Sequence, residues 1–198
     1  MASAAIGLDL GTYNIKIYNG MNDTISTHKN MIAIQNRKHV LAYGDEAFKM
    51  YEKTPDSITV SFPVTNGVIA EIHNMQVLLH NFIMDATGGN FRSADYYISV
   101  PTDITEVEKR AFFDLVNDSD VKPHNIYIVE KAIADGVGID PDIKNLQGAL
   151  IVNIGYETTE ISVLSMGGIV LSKLLKIGGK NFDESITNII RKEYNLFI

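Results

Sequence analysis

The sequence predicts an α/β fold assembled from two related halves. Short apolar strands alternate with stretches of helical periodicity. A glycine-bearing bend follows the first strand of each half, at Gly11-Thr12 and at Gly155. The second bend is flanked by strands in the same way as the first, an internal echo that points to duplicated units.

The elements follow in order. Ala5–Leu10 is an apolar run ending at Gly11-Thr12, and 14–18 alternates polar and apolar, so two strands joined by a tight turn are predicted, with Asn19-Gly20 as the next turn. Residues 31–34 and 39–42 flank Gln35-Asn36-Arg37-Lys38 as a hairpin, and 46–52 gives one or two helical turns stopped before Pro55. Residues 60–63 and 67–69 are extended. Ile72, Met75, Leu78, Leu79 and Phe82 recur at helical spacing, predicting a helix to about Asp85 that ends at Gly88-Gly89. A strand at 96–100 closes at Pro101, and Thr105 with Glu108 forms a capping-box pattern opening a helix to Val116. Strand then helix repeats at 126–129 and 131–136. Asp140-Pro141-Asp142 reads as a linker. Strands at 148–154, 160–165 and 168–175, a turn at Gly178-Gly179 and a helix over 182–194 complete the chain.

Composition excludes several classes. With 45% hydrophobic and 21% charged residues over 198 positions, a sizeable core is expected. A net charge of -7 without a Lys/Arg cluster argues against nucleic acid as a partner. The absence of cysteine removes disulfides and thiolate metal sites, and the five histidines show no ligand spacing. The opening residues lack the features of a signal peptide, and no apolar run approaches the roughly 20 residues that span a bilayer. A cytoplasmic protein, or one attached peripherally to a membrane, is expected. The loop before residue 96 offers only Phe91 beside Arg92, which supports membrane contact weakly.

Taken alone, a Gly-Thr turn is commonplace, and its amides are usually satisfied by neighbouring strands or water. The ordered set of motifs says more. Ile6-Gly7-Leu8-Asp9-Leu10-Gly11-Thr12-Tyr13-Asn14 resembles the first phosphate loop of the actin-like ATPases, most closely the MreB/Mbl family. Ala42-Tyr43-Gly44-Asp45-Glu46-Ala47, Thr54-Pro55 and Asn66-Gly67-Val68-Ile69-Ala70 resemble its small outer subdomain and the return from it. Val100-Pro101-Thr102, Ile154-Gly155 with Thr158-Thr159-Glu160, and Ile177-Gly178-Gly179 with Phe182-Asp183 continue the match.

The resemblance implies an actin-like, ribonuclease H-like fold. Residues 1–145 would be the first lobe, with the outer subdomain at about 32–65, and 146–198 the beginning of an incomplete second lobe. It also implies ATP or GTP with Mg2+ between two facing bends, head-to-tail filaments and a part in cell shape and wall synthesis. The site would draw on Asp9, Gly11, Thr12, Tyr13, Asn14 and Lys16 from the first loop and on Asn153, Gly155, Tyr156, Glu157 and Thr158 from the second. Gly11 lets backbone amides approach a phosphate and Thr12 adds a hydroxyl. Asp9 would hold Mg2+ through waters. Lys16 is either a point charge for phosphate or a solvated strand residue.

Three departures fall on the chemistry. The family's second loop reads Asp-Ile-Gly-Gly-Gly-Thr-Thr, whereas here Asn153 removes a carboxylate and Tyr156 and Glu157 replace glycines. The family's Glu-Glu-Pro becomes Glu130-Lys131-Ala132, so an ammonium stands where the second glutamate positions water. Losing a general base typically costs about 100- to 10,000-fold in rate, so hydrolysis should be slow or absent. Glu157 would oppose a phosphate by roughly 4 kcal/mol at an effective dielectric of 20, and Lys131 is a candidate to offset it. Tyr156 either obstructs the loop or packs over the turn, in which case no nucleotide binds. The adenine and ribose contacts of the family lie beyond the segment matching Ile198, so the strands after Gly148 should leave apolar surface for a partner.

Two functions remain in view. One is a filament-forming cytoskeletal protein with a degenerate nucleotide site. The other is a non-polymerising adaptor or regulator that binds a full-length actin-like chain. A small-molecule kinase is disfavoured for want of a catalytic base.

Overall fold

A computed structural model describes residues 4–89, 93–139 and 148–197. They form two compact units, one comprising the described part of Met1–Val100 with Ile104–Lys131 and the other Pro101–Asp103 with the described part of Ala132–Ile198. The linker read at residues 140–142 and the loop at Phe91 and Arg92 lie outside the described residues.

In the first unit, β1 (Ala5–Leu10), β2 (Asn14–Asn19), β3 (Thr24–Lys29), β9 (Asp95–Val100) and β10 (Asn125–Glu130) make one sheet in the order β10-β9-β1-β2-β3. β2 runs antiparallel to both β1 and β3, whereas β9 lies parallel to β1 and to β10. The central strand β1 alternates, with Ile6, Leu8 and Leu10 buried and Gly7 and Asp9 on the opposite face. The buried face meets two helices, α2 (Ile72–Thr87) through Met75, Leu78, Leu79 and Phe82, and α3 (Glu106–Asn117) through Phe112, Leu115 and Val116. The open face carries Asp9 and Lys16, which the register places opposite one another.

The capping box at α3 is present: the Thr105 hydroxyl accepts from the Glu108 amide at 3.2 Å and the Glu108 carboxylate accepts from the Thr105 amide at 2.7 Å. A smaller sheet of β4 (Ile32–Gln35), β5 (His39–Tyr43) and β6 (Ile58–Ser61) packs with α1 (Asp45–Met50) around Met31, Ala33 and Ala47. A two-residue pair, β7 (Val64–Thr65) and β8 (Val68–Ile69), leads into α2.

The second unit holds α4 (Lys131–Ile139), whose residues from Ala132 onward belong to it, and an antiparallel meander of β11 (Ala149–Ile154), β12 (Thr159–Ser165) and β13 (Gly168–Leu175). Ala132 packs on Ile151 and Leu164. On the other face Leu150, Val152, Ile154, Leu171 and Leu175 are exposed. The final helix α5 (Gly179–Tyr194) buries no residue, and Phe182, Ile186 and Ile189 lie open along it.

Two differences from the sequence reading have a clear local cause. β3 was not anticipated, because an edge strand reading Thr-Ile-Ser-Thr-His-Lys has no apolar alternation to announce it. α5 begins at Gly179 rather than 182, since the side chain of Asn181 accepts from the Gly178 amide at 2.9 Å and caps the helix start.

Candidate functional site

The first bend spans residues 11–14, between the paired positions Leu10 and Ile15. A Cβ on Gly11 would sit 2.9 Å from the Asn14 carbonyl oxygen, closer than a side-chain carbon tolerates, so the turn requires glycine there. Asn30, fully buried, clamps the bend from behind. Its Nδ2 donates to the Gly11 carbonyl at 2.8 Å and its backbone amide donates to the Tyr13 carbonyl at 2.9 Å. Thr12 is buried. The Tyr13 ring packs edge-on against Phe48 and lies beneath the Lys29 ammonium, 3.8 Å from its centroid, which ties the bend to α1. Sequence reasoning missed Lys29, the last residue of the unrecognised β3, and Asn30, which follows it.

Beside this bend, Asp9 is held between two ammoniums. Lys131 Nζ donates to Oδ1 at 2.7 Å and Lys16 Nζ donates to Oδ2 at 3.0 Å. Burial on its own would raise the Asp9 pKa, but the two lysines, Lys131 foremost, outweigh it and hold the carboxyl below the usual carboxylate range. Lys16 is thus neither simply solvated nor unengaged; it is a half-exposed partner of Asp9. Glu130, preceding Lys131, pairs with Lys109 at 3.5 Å.

The second bend has the same construction. Residues 155–158 lie between the paired positions Ile154 and Thr159, and a Cβ on Gly155 would meet the Thr158 carbonyl oxygen, again at 2.9 Å. The start of α5 is seated on this bend: the Gly179 and Lys180 amides donate to the carbonyls of Gly155 and Tyr156 at 2.9 and 2.8 Å. A Cβ on Gly178 would come within 2.5 Å of the Tyr156 carbonyl oxygen. Lys180 Nζ donates to Glu157 Oε1 at 3.0 Å, and this bond is the main cause of a raised Lys180 pKa. Lys180 therefore offsets Glu157; spacing along the chain gave no hint that the helix start folds back onto the loop. Tyr156 is half-buried.

The position equivalent to Asp9 is Asn153, whose Nδ2 donates to Asp135 Oδ2 of α4 at 2.6 Å. The position equivalent to Lys16 is Glu160, buried, with Oε1 accepting from the Thr102 amide at 3.2 Å and from Ser172 Oγ at 3.1 Å. The pair of charges at the first bend is thus replaced at the second by an amide and a carboxylate.

The MreB/Mbl protein family model matches residues 3–198. The chain belongs to the MreB/Mbl family. It is 35% identical over 200 residues to the cell shape-determining protein Mbl of Bacillus subtilis (strain 168), covering all of this chain and 60% of that one. It is 32% identical over 205 residues to the cell shape-determining protein MreB of Escherichia coli (strain K12), covering all of this chain and 58% of that one. Among solved structures it superposes on MreB5 of Spiroplasma citri bound to ADP with a TM-score of 0.90 and 30% identity, over 99% of this chain and 59% of that one. The same protein bound to AMPPNP gives 0.89 and 32%, over all of this chain and 60% of that one. The fold is the actin-like one, and the chain spans about three-fifths of the length of these relatives.

The resemblance brings an expectation of Mg2+ at Asp9, and the donor set does not fit it. Both Asp9 oxygens already accept from ammoniums. Among the described residues no cluster of three or more His, Cys, Asp or Glu side chains is placed to hold a metal ion. A hydrated divalent ion prefers anionic oxygens and waters, not ammonium neighbours.

Proposed function

We propose that this chain is a cytoskeletal cell-shape protein of the MreB/Mbl kind that binds a nucleoside di- or triphosphate and hydrolyses it little or not at all. The observation that carries the reading is the position of Lys131. The family's water-positioning glutamate is replaced by an ammonium committed to Asp9 at 2.7 Å, and a protonated amine in an ion pair cannot accept a proton from water. Support for binding comes from the glycine bend with its buried Asn30 clamp, and from the ADP- and AMPPNP-bound states of the S. citri relative. The residues proposed to line the nucleotide site are Asp9, Gly11, Thr12, Tyr13, Asn14 and Lys16 of the first bend and Asn153, Gly155, Tyr156, Glu157 and Thr158 of the second. Residues 1–145 are proposed as one actin-like lobe and 146–198 as the start of the other.

Head-to-tail self-association, partners in cell shape or wall synthesis, and a cytoplasmic or membrane-peripheral location belong to the same proposal and rest on family membership. Among the described residues no helix is long and apolar enough to cross a membrane. Calorimetric titration of ATP, paired with sedimentation of polymer, tests the reading. Binding with pelleting and no phosphate release is expected, and absence of binding or sustained turnover would refute it.

The exposed apolar face of Leu150, Val152 and Ile154, with the open stripe on α5, favours a second reading. In it the chain does not polymerise but acts as an adaptor, docking on a full-length actin-like protein. Co-sedimentation with a full-length MreB filament separates the two.

A further inference from the structure

The ion-paired group at Asp9 does more than disable a base. Two ammoniums against one carboxylate leave this corner of the first bend with net positive charge, in contact with the strand that enters Gly11. Lys131 is three-quarters buried and reaches Asp9 Oδ1 from the end of β10, while Lys16 reaches Oδ2 from β2, so the two cations approach from opposite sides. Their placement is fixed by sheet register and by the helix start, and not by chance contact of long surface chains: Lys16 is the cross-strand partner of Asp9, and Lys131 immediately follows a strand paired along its whole length with β9. A divalent ion brought to Asp9 would have to displace an ammonium or sit beside both. A phosphate, by contrast, would meet positive charge already in place beside the Gly11 turn.

We infer that Lys131 takes over the place of the divalent cation, so that this chain binds nucleoside polyphosphates without Mg2+. The inference rests on the proposed nucleotide-binding reading and adds to it which cation neutralises the phosphates. Lys131 acts as a tethered point charge: it compensates the polyphosphate but brings no coordinated water.

The test is calorimetric titration of the full chain with ADP and with AMPPNP, each in excess Mg2+ and in EDTA. The dissociation constant in EDTA should lie within about threefold of that in Mg2+, and a requirement for Mg2+ of about tenfold or more would overturn the inference while leaving nucleotide binding intact. No binding in either condition would overturn the nucleotide reading and this inference together. Lys131→Met should weaken binding in EDTA by about tenfold or more and gain a dependence on Mg2+, whereas Lys131→Arg should keep metal-free binding. Lys131→Met binding as tightly as the unaltered chain in EDTA would also count against it. The comparison of the unaltered chain with and without EDTA needs no variant, so a misfolded mutant does not blunt the test.

Discussion

The two units begin alike and diverge in how they are completed. Each contains an antiparallel three-strand meander whose first turn is a four-residue bend led by glycine, with the same 2.9 Å constraint at that glycine. In the first unit β1 gains a parallel neighbour, β9, on its other edge, and two helices bury its alternate residues. In the second unit β11 pairs only with β12 among the described residues, and the outer face of the meander is exposed. Fold identity is therefore set by the meander and its bend, while stability is set by what covers the sheet. The same holds for chemistry: an identical turn carries Asp9 with two lysines in one unit and Asn153 with Glu160 in the other.

The largest effect that distinguishes the units is core loss. Phe82→Ala, at a buried α2 position against the first sheet, should cost about 3–5 kcal/mol, whereas Ile154→Ala on the exposed face of β11 should fall within about 0.5 kcal/mol. Denaturant titration of both variants checks this, and a comparable loss at Ile154 would mean that the outer face is covered in solution.

Next in size are the two bends. Gly11→Ala and Gly155→Ala should each destabilise by about 1–3 kcal/mol, since a Cβ would press on a backbone carbonyl that cannot rotate away. Equal costs sharpen the claim that the bends are equivalent; a neutral result at either breaks it.

The smallest effect concerns pH. Asp9 has a folded-state pKa below its unfolded value, so its contribution to stability is present above the ordinary carboxylate range and is lost as pH falls through the lowered folded value. Removing one of its two lysines with Lys131→Met should move that loss to higher pH. Asn153, the equivalent position in the second unit, has no charge to titrate, and Asn153→Ser should leave the acid limb unchanged. Acid unfolding followed by circular dichroism reads both.

Much of the fold was legible because it is written in local signals. The apolar alternation of Ala5–Leu10, the helical spacing from Ile72 to Phe82 and the Thr105–Glu108 cap each declare an element within a few residues. β3 was not legible, because as a polar edge strand it is held by its backbone partner and not by side-chain burial. The site was legible to the extent that a glycine bend and an Asp–Lys cross-strand pair lie close in sequence. What escaped are the long-range contacts: the Asn30 clamp on Gly11, the Lys131 bond to Asp9, the Asp135 bond to Asn153 and the return of Lys180 onto Glu157. Each depends on chain segments brought together by the sheet, which residue spacing does not encode.

The most direct test of the account is phosphate release from ATP by the full chain in Mg2+, at ATP concentrations where calorimetry shows the site occupied. With Lys131 fixed on Asp9, the nucleotide should stay bound and phosphate release should not rise above the buffer control. Sustained release at saturating ATP would contradict the assignment of Lys131 as a cation that replaces, and does not assist, the hydrolytic apparatus.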